Sequence, residues 1–479
     1  MLTLIALLAA PASLLSLLIF TQPTFAHAFG QSFTLPIPVW IFLYGGAAAV
    51  ALSFLVIGVF VGKESVFGRV GEKEISKISF IRAVTSPLAR STLRFLAAFL
   101  FLLTIGAGIF GSADASVNIA PTMFWIIFLL GFTYLSALVG DLWPMVNPWQ
   151  TILTWWEDLT GSKLNGLWPY PQRWGYFPAL ILYYVILWYE MLSGGSAAQP
   201  QNLARLLLDY SIITFAGATL FGVKDWFKYG EFFSVFFGLV SKISIFVRRG
   251  NKIYLRPPFV GLLQEKLSSF SLLVFILLML SSTAFDGFRG TSAWFKLDLN
   301  LFPLYDSFGA SGYQIFQSAA LALSPFLFLA VYLILVAAMK MLTKSKSRVT
   351  DLALQFGYSL VPIAVVYNVA HYFPLLLVQG QAILPQISDP FGLGWNLFGT
   401  AKVVPNVGII RADTTWYLQV FFIVLGHIAA VYLAHVLALR VFPRQRQAVL
   451  SQLPILVLMV IYTLTGLWIL SQPFSPVGA

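Results

Sequence analysis

Histidines are the residues of this chain best suited to proton transfer or metal binding, and there are four: His27, His371, His427 and His435. An imidazole exchanges a proton near neutral pH and is the commonest protein ligand of transition metals. The last three lie within long apolar stretches, where a charged side chain costs about 2.5–3.5 kcal/mol and usually has a partner or a function. The chain contains no cysteine, which excludes thiolate metal sites, disulfides and cysteine nucleophiles.

The composition is that of an integral membrane protein. Of the 479 residues, 59% are hydrophobic and only 10% are charged, whereas soluble domains carry about 25% charged residues. We count ten stretches with the ~17–25 apolar residues that a membrane-spanning helix needs. The sequence therefore predicts an all-α, polytopic transmembrane helix bundle. The ten predicted spans are residues 38–62, 95–112, 121–140, 175–193, 203–222, 268–287, 316–339, 352–378, 415–439 and 448–470.

Residues 1–26 have the features of a signal peptide. They form an apolar run that ends in Thr24-Phe25-Ala26, whose small residues fit a signal-peptidase site. Cleavage after Ala26 would leave a single transmembrane domain, residues 27–479, with His27 as its first residue. The alternative is an uncleaved helix, which would bring the number of spans to eleven.

Basic residues predict how the bundle is oriented. Loops 63–94, 141–174, 223–267, 340–351 and 440–447 alternate with the other loops and hold 24 of the 29 Lys and Arg residues. The positive-inside rule places these loops in the cytoplasm and both mature termini outside. The net charge of +11 therefore reflects membrane topology, and we expect no nucleic-acid partner.

Two of the basic loops are predicted to contain segments that enter or lie on the membrane surface. Residues 141–174 are rich in tryptophan and proline, and tryptophan favours the headgroup region. Residues 227–247 are apolar, contain Lys242 and are followed by Arg248-Arg249, which is typical of a helix on an anionic leaflet. We expect re-entrant or interfacial structure in both.

The predicted topology gives each histidine a depth. His371 falls in the outer third of the membrane and His427 near its middle. His435 lies eight residues beyond His427, about 12 Å deeper and turned by about 80° on the helix. One metal ion cannot readily bind both, because its ligands lie only ~2.0–2.2 Å away. We therefore read His435 as a residue near the cytoplasmic end of its helix.

A metal site of His27, His371 and His427 on the outer side is the resulting hypothesis. A free terminal amine with neighbouring imidazoles suits copper, and imidazole suits zinc equally, so the metal stays open. Asp286, at the outer end of its span, is a candidate general base, which makes Asp286, His371 and His427 the candidate catalytic residues. The alternative is that each histidine is a hydrogen-bonded packing residue.

Several short motifs resemble those of bacterial membrane proteins named fenitrothion hydrolase, and the similarity covers most of the chain after residue 26. The motifs are His27-Ala28-Phe29-Gly30-Gln31, Leu35-Pro36-Ile37-Pro38, Gly140-Asp141-Leu142-Trp143, Val146-Asn147-Pro148-Trp149, Ala284-Phe285-Asp286-Gly287 and the Gly426-His427 helix with His435. This resemblance implies a hydrolase of lipophilic organophosphate triesters in the bacterial inner membrane, working with a second membrane subunit.

Three kinds of function stay open at the level of sequence. A hydrolase would use the metal to polarise a phosphoryl oxygen or to activate water. A transporter, or a copper-handling redox protein, would use the same histidines, with Glu190 and Asp209 joining a proton or ion relay. A non-catalytic membrane subunit would use its polar residues only to join helices. No P-loop, GxSxG, GxGxxG or HExxH motif is present to favour another class.

Overall fold

The computed structural model describes residues 38–62, 71–250, 252–263 and 266–472. The predicted signal peptide and His27 lie outside these residues. Helices make up most of the described chain. In chain order the main ones are α1 (Val39–Phe60), α2 (Pro87–Phe110), α3 (Ile119–Val139), α4 (Pro148–Thr160), α5 (Phe177–Leu192), α6 (Pro200–Phe221), α7 (Phe232–Val240), α8 (Phe270–Arg289), α9 (Ser292–Tyr305), α10 (Gly312–Thr343), α11 (Val349–Ser388), α12 (Ala412–Val441) and α13 (Gln445–Ser471).

Nine of these helices are long and apolar enough to cross a membrane: α1, α2, α3, α6, α8, α10, α11, α12 and α13. Helices satisfy their own backbone hydrogen bonds, which lipid cannot do for them. The all-α polytopic bundle predicted from the sequence is thereby confirmed. Large apolar side chains stay exposed on outward faces, as at Val59 and Phe60, which are 73% and 78% exposed. A lipid bilayer is the environment that suits such faces.

One predicted span is shorter than expected. Residues 175–193 were predicted to cross the membrane, and α5 has 16 residues, about 24 Å of helix. The hydrocarbon core is about 30 Å thick. Gly194 and Gly195, both with positive φ, end this stretch of chain in a turn that a helix cannot continue through. The described chain therefore has nine long spans and one short apolar helix where ten spans were expected.

The end of the bundle that carries the basic loops, called here the basic end, also holds a small antiparallel sheet. Its strands are β1 (Lys73–Glu74), β2 (Phe246–Arg249) and β3 (Lys252–Leu255), in the order β1-β3-β2. The sheet joins two loops that are far apart in sequence. Ion pairs at 2.7 Å between Arg249 and Glu72, and at 3.0 Å between Lys252 and Glu74, reinforce it.

The two loop segments predicted to be re-entrant or interfacial differ in burial. Helix α4 buries Trp149 and exposes Leu159, which is 88% exposed, so it has one face toward the bundle and one away from it. Helix α7 is buried almost completely, and Phe233 and Phe237 are 0% exposed. The chain enters and leaves the α7 segment at the basic end. Helix α7 therefore inserts into the bundle, as a re-entrant segment does, and does not lie along its surface.

Helix α8 forms the centre of the bundle. In its most apolar stretch 83% of the residues are buried, against 28–61% in the other eight long helices. It packs against α5, α10, α11 and α13. Ser269 caps its first turn by accepting a hydrogen bond from the backbone N–H of Leu272. A polar residue on this helix is consequently surrounded by protein rather than by lipid.

Candidate functional site

Asp286 lies in the last turn of α8, and two side chains of α11 contact it. The Tyr372 hydroxyl donates a hydrogen bond of 2.8 Å to Asp286 Oδ2, and His371 Nε2 lies 3.2 Å from the same oxygen. Because a carboxylate accepts hydrogen bonds, the Nε2–H of His371 is the donor. Arg289, one turn further along α8, lies 3.5 Å from Asp286 Oδ1. We call Asp286, Arg289, His371 and Tyr372 the Asp286 cluster.

The Asp286 cluster is shielded but not sealed. The side chains of Asp286 and Arg289 are 21% and 24% exposed, and that of His371 is 9% exposed. Arg289 also donates a 2.5 Å hydrogen bond to the carbonyl of Met191, which follows Glu190 at the end of α5. The cluster thus ties α5, α8 and α11 together, with one guanidinium facing the carboxylate.

A small cavity adjoins the cluster between α3, α5, α8 and α11. Its volume is about 60 Å³, and Tyr372 belongs to both the cavity wall and the Asp286 cluster. A water molecule needs at least about 10–15 Å³ of such space, whereas pockets for drug-sized ligands measure about 300–1,000 Å³. The cavity is therefore of a size for a few water molecules. Its other polar lining residues are Thr133, Tyr183, Glu190, Ser282, Thr283 and Asn368.

Glu190 adds a second carboxylate to this region. Glu190 is exposed, as Asp209 is, but its side chain borders the cavity and interacts electrostatically with Asp286 and Arg289. Asp209, the other acidic residue that the sequence suggested for a relay, is exposed on α6 and is not part of the cavity wall. The structure thus brings Glu190 near Asp286 and His371 and leaves Asp209 apart.

His427 is buried elsewhere on α12 and is 3% exposed. Its Nδ1 lies 2.7 Å from the carbonyl of Ile423, one turn back, so the Nδ1–H is the donor and Nε2 keeps a free lone pair. Among the described residues, Nε2 has no hydrogen-bond partner, and neither does His371 Nδ1. Each of these two histidines therefore has one nitrogen fixed and the other available.

His435 is a buried link between three helices. Its Nδ1 lies 3.1 Å from Gln452 Oε1 on α13, and its Nε2 lies 2.8 Å from the carbonyl of Val61, which follows α1. The side chain is 0% exposed. The sequence predicted separate positions for His435 and His427 on their helix and did not indicate these partners.

The predicted metal site of His27, His371 and His427 is compatible with these donors. Metal-binding histidines usually donate their second N–H to a carboxylate or a carbonyl, as His371 and His427 do here. Within the described residues, no group of three or more His, Asp or Glu side chains is placed to hold a metal ion. His27 is outside them, so the three-histidine site stays a prediction.

Two residues of the Asp286 cluster are predicted by the sequence, and two are not. Asp286 and His371 were chosen for their residue types and depth, and the structure places them in contact. Tyr372 and Arg289 were missed. Two signals were available: Tyr372 follows His371 directly, and Arg289 lies three positions after Asp286, on the same helix face.

Comparison of the chain with known protein families, with curated proteins and with solved structures finds no match.

Proposed function

We propose that the protein is a proton-coupled membrane transporter in which Glu190 and the Asp286 cluster exchange the proton. The observation that carries this proposal is a water-sized cavity whose wall contains the exposed Glu190 and also Tyr372, which is hydrogen-bonded to a second carboxylate, Asp286. Ionisable residues within membrane spans typically mark ion pathways and proton relays. Tyr372 lines the cavity and donates to Asp286, so its hydroxyl can pass a proton between the two.

Cavity size favours this function over the binding of a large substrate. About 60 Å³ accommodates the few water molecules that would bridge Tyr372 and Glu190. A lipophilic triester would need a pocket several times larger than this one. An open pocket of about 520 Å³ lies between α5 and the start of α10, but no residue of the Asp286 cluster lines it. Arg289 offsets the charge of the carboxylates, which lowers the free energy of keeping an ionised group at this depth.

Proton uptake into proteoliposomes tests this proposal. The purified protein is reconstituted with an internal pH dye, and a potassium diffusion potential drives proton entry. We expect Glu190→Gln and Asp286→Asn to reduce uptake by about 100-fold or more, the scale on which positioned acid–base groups accelerate proton transfer. Asp209→Asn, which removes an exposed carboxylate on a neighbouring helix, is the matched control and should behave like the wild type. Equal uptake by all four proteins would contradict the proposal.

A second candidate is the hydrolase of lipophilic phosphotriesters, and the Asp286–His371 contact favours it. A carboxylate that fixes one imidazole nitrogen prepares the other to act as a general base, and His371 Nδ1 has no partner in the described part of the chain. Asp286 would orient the imidazole, and His371 would take a proton from water. In the alternative form of this candidate, the same Nδ1 would join His27 and His427 in holding a copper or zinc ion, which would supply Lewis-acid chemistry in place of the imidazole base.

A measurement of product formation distinguishes the hydrolase from the transporter. Detergent-solubilised protein is incubated with a nitrophenyl dialkyl phosphate, and nitrophenol release is followed by absorbance. The hydrolase candidate requires release that His371→Ala abolishes, together with bound metal that His371→Ala and His427→Ala remove. N-terminal sequencing of the purified protein adds an independent check, since an intact Met1 would eliminate the terminal-amine ligand. Proton uptake without any nitrophenol release would leave transport as the function.

The proposal includes the predicted setting of the protein. We place it in the bacterial inner membrane with its basic end in the cytoplasm, so that the Asp286 cluster lies toward the outer face. Arg289 and the α9 helix that follows it belong to the end opposite the basic loops. A lipophilic small-molecule substrate and a second membrane subunit remain the expected partners.

A further inference from the structure

A second set of polar side chains, on α11 and α12, has no role in the cavity described above. Thirteen buried side-chain atoms lack a hydrogen-bond partner among the described residues, and seven of them lie on these two helices. Five of the seven fall within residues 367–371 of α11 and 416–427 of α12. The five are Tyr367 OH, His371 Nδ1, Trp416 Nε1, Gln419 Oε1 and His427 Nε2. Buried polar groups in proteins are nearly always paired with protein or with ordered water. Five unpaired groups in one region indicate a bound polar species.

Helix geometry places the α12 groups in a line. Trp416, Gln419 and His427 fall within about 80° of helix circumference and span about 16 Å along the axis. All three are buried, with 1%, 2% and 3% exposure. The line therefore covers roughly half of a ~30 Å hydrocarbon core. It starts near the end of the bundle opposite the basic loops and stops at His427.

The unpaired groups of α11, on Tyr367 and His371, border the same part of the bundle interior as the α12 groups. Tyr367 and Trp416 belong to one buried cluster with Ile423, Leu43 and Leu467. A Cβ atom at Gly466 of α13 would lie 3.4 Å from the Tyr367 ring and 3.9 Å from Ile423. The region is therefore enclosed by α1, α11, α12 and α13.

Helices α11 and α12 are in close contact at the inner end of the line formed by Trp416, Gln419 and His427. A Cβ atom at Gly426 would lie 2.8 Å from Val366 Cβ, so α11 and α12 approach each other directly beside His427. Close packing of α11 against α12 is therefore found beside His427, at the inner end of the line.

His371 connects this line with the Asp286 cluster. Its Nε2–H faces Asp286, and its Nδ1 is the unpaired atom. A Cβ atom at Gly287 would lie 3.3 Å from His371 Cε1, so the imidazole is held against α8 and cannot turn freely. The centroids of the His371 and Tyr367 rings lie 6.5 Å apart, so the two unpaired groups of α11 are neighbours.

We propose that Trp416, Gln419, Tyr367 and His371 line a file of water molecules that runs from the outer face to the level of His427, near the middle of the membrane, and that protons pass along this water. The chemistry of the groups fits water. Trp416 donates, Gln419 Oε1 and His427 Nε2 accept, and the Tyr367 hydroxyl does both. This inference deepens the proposed transport function, since it supplies the route by which protons reach the Asp286 cluster and His427.

Radiolytic footprinting tests the water file without requiring any transport activity. Hydroxyl radicals formed from bound water oxidise the side chains that touch it. In the full-length protein in lipid nanodiscs, we expect Trp416 and Tyr367 to be oxidised severalfold faster than Trp149 and Tyr332. All four residues are buried, with Trp416 and Tyr367 at 1% and 5% exposure and the controls at 1% and 2%. The polar atoms of the controls are bonded to Ser211 and to the Ala353 carbonyl. Equal oxidation of the two pairs would overturn the inference.

Proton uptake by conservative variants tests whether protons pass along this file of water molecules. Tyr367→Phe and Gln419→Leu each remove one polar group from the file, and we expect severalfold slower uptake. Tyr417→Phe is the matched control, because Tyr417 lies on α12 and is 46% exposed on its outward face. If the wild type takes up protons and Tyr367→Phe and Gln419→Leu are unaffected, the path is wrong while the transport function stands. If the wild type takes up none, the transport function fails and footprinting alone decides whether the water file exists.

Discussion

At the scale of single residues, Asp286 shows how neighbours make a carboxylate acceptable inside a bundle. Tyr372 and His371 both donate to its Oδ2, and Arg289 lies beside its Oδ1. Charge-assisted hydrogen bonds of this kind are about twice as strong as neutral ones. Without them, an ionised carboxylate at this depth would be strongly disfavoured. Asp286 and the residues that contact it therefore act as one unit.

The two histidines of α12 have different structural roles, and substitution should separate them. We expect His435→Leu to lower the free energy of unfolding by about 1–3 kcal/mol, because it leaves the Gln452 side chain and the Val61 carbonyl without this hydrogen-bond partner in a buried site. His427→Leu removes only a bond to the carbonyl of Ile423, which is already part of its own helix. Its effect on stability should be clearly smaller.

Denaturation of the two variants in the same detergent measures this difference. The midpoint of His435→Leu should fall below that of the wild type, with His427→Leu close to the wild type. A larger loss for His427→Leu than for His435→Leu would mean that His427 holds helices together and that its free nitrogen is incidental.

At the scale of helices, the insertion of α7 depends on one buried acidic residue. Glu231 caps α7 by accepting hydrogen bonds from the backbone N–H groups of Phe233 and Ser234 at 3.0 and 2.8 Å. It also accepts from the Tyr210 hydroxyl on α6 and, at 3.4 Å, from Trp143 Nε1. The side chain is 0% exposed. Glu231 therefore joins the re-entrant helix to two other segments.

Removal of this carboxylate should be among the most destabilising single changes at the basic end. We expect Glu231→Ala to lower the free energy of unfolding by about 3 kcal/mol or more, since several buried donors lose their acceptor at about 1–3 kcal/mol each. Glu74→Ala is the control. It removes an exposed ion pair with Lys252, and such pairs contribute about 0–1 kcal/mol. Thermal unfolding in detergent that gave the same shift for both variants would show that Glu231 is dispensable.

At the scale of the whole molecule, orientation in the membrane is the property on which the functional proposals depend. The natural sequence has no cysteine, so a single introduced thiol can be labelled without background. Ser162 lies in a loop predicted to be cytoplasmic, and Ser116 lies in a loop predicted to be outside. Both residues are exposed. They provide one reporter for each face.

A membrane-impermeant maleimide applied to intact cells should label Ser116→Cys and leave Ser162→Cys unlabelled until the membrane is opened. The physical reason is the excess of Lys and Arg in alternate loops, which resists translocation across the membrane. The reverse pattern would place the Asp286 cluster on the cytoplasmic side. The proton path to His427 would then open to the cytoplasm.

The sequence alone determined the class of structure, because lipid leaves a chain few ways to satisfy its backbone. Long apolar stretches must become helices, and the distribution of basic residues predicts which loops face the cytoplasm. It also pointed to Asp286 and His371, because polar residues within apolar stretches stand out by type. These inferences depend on local composition, which is readable along the chain.

Only the tertiary structure decided which of these polar groups meet. Asp286 and His371 are 85 positions apart, and their contact depends on how α8 and α11 pack. The short length of α5, the burial of α7 and the partners of His435 likewise depend on packing between segments distant in sequence. No local pattern encodes such contacts, since the same apolar faces could pack in several arrangements. The sequence identifies the ionisable residues within apolar stretches. The packing of four helices around α8 brings two of them, Asp286 and His371, into contact.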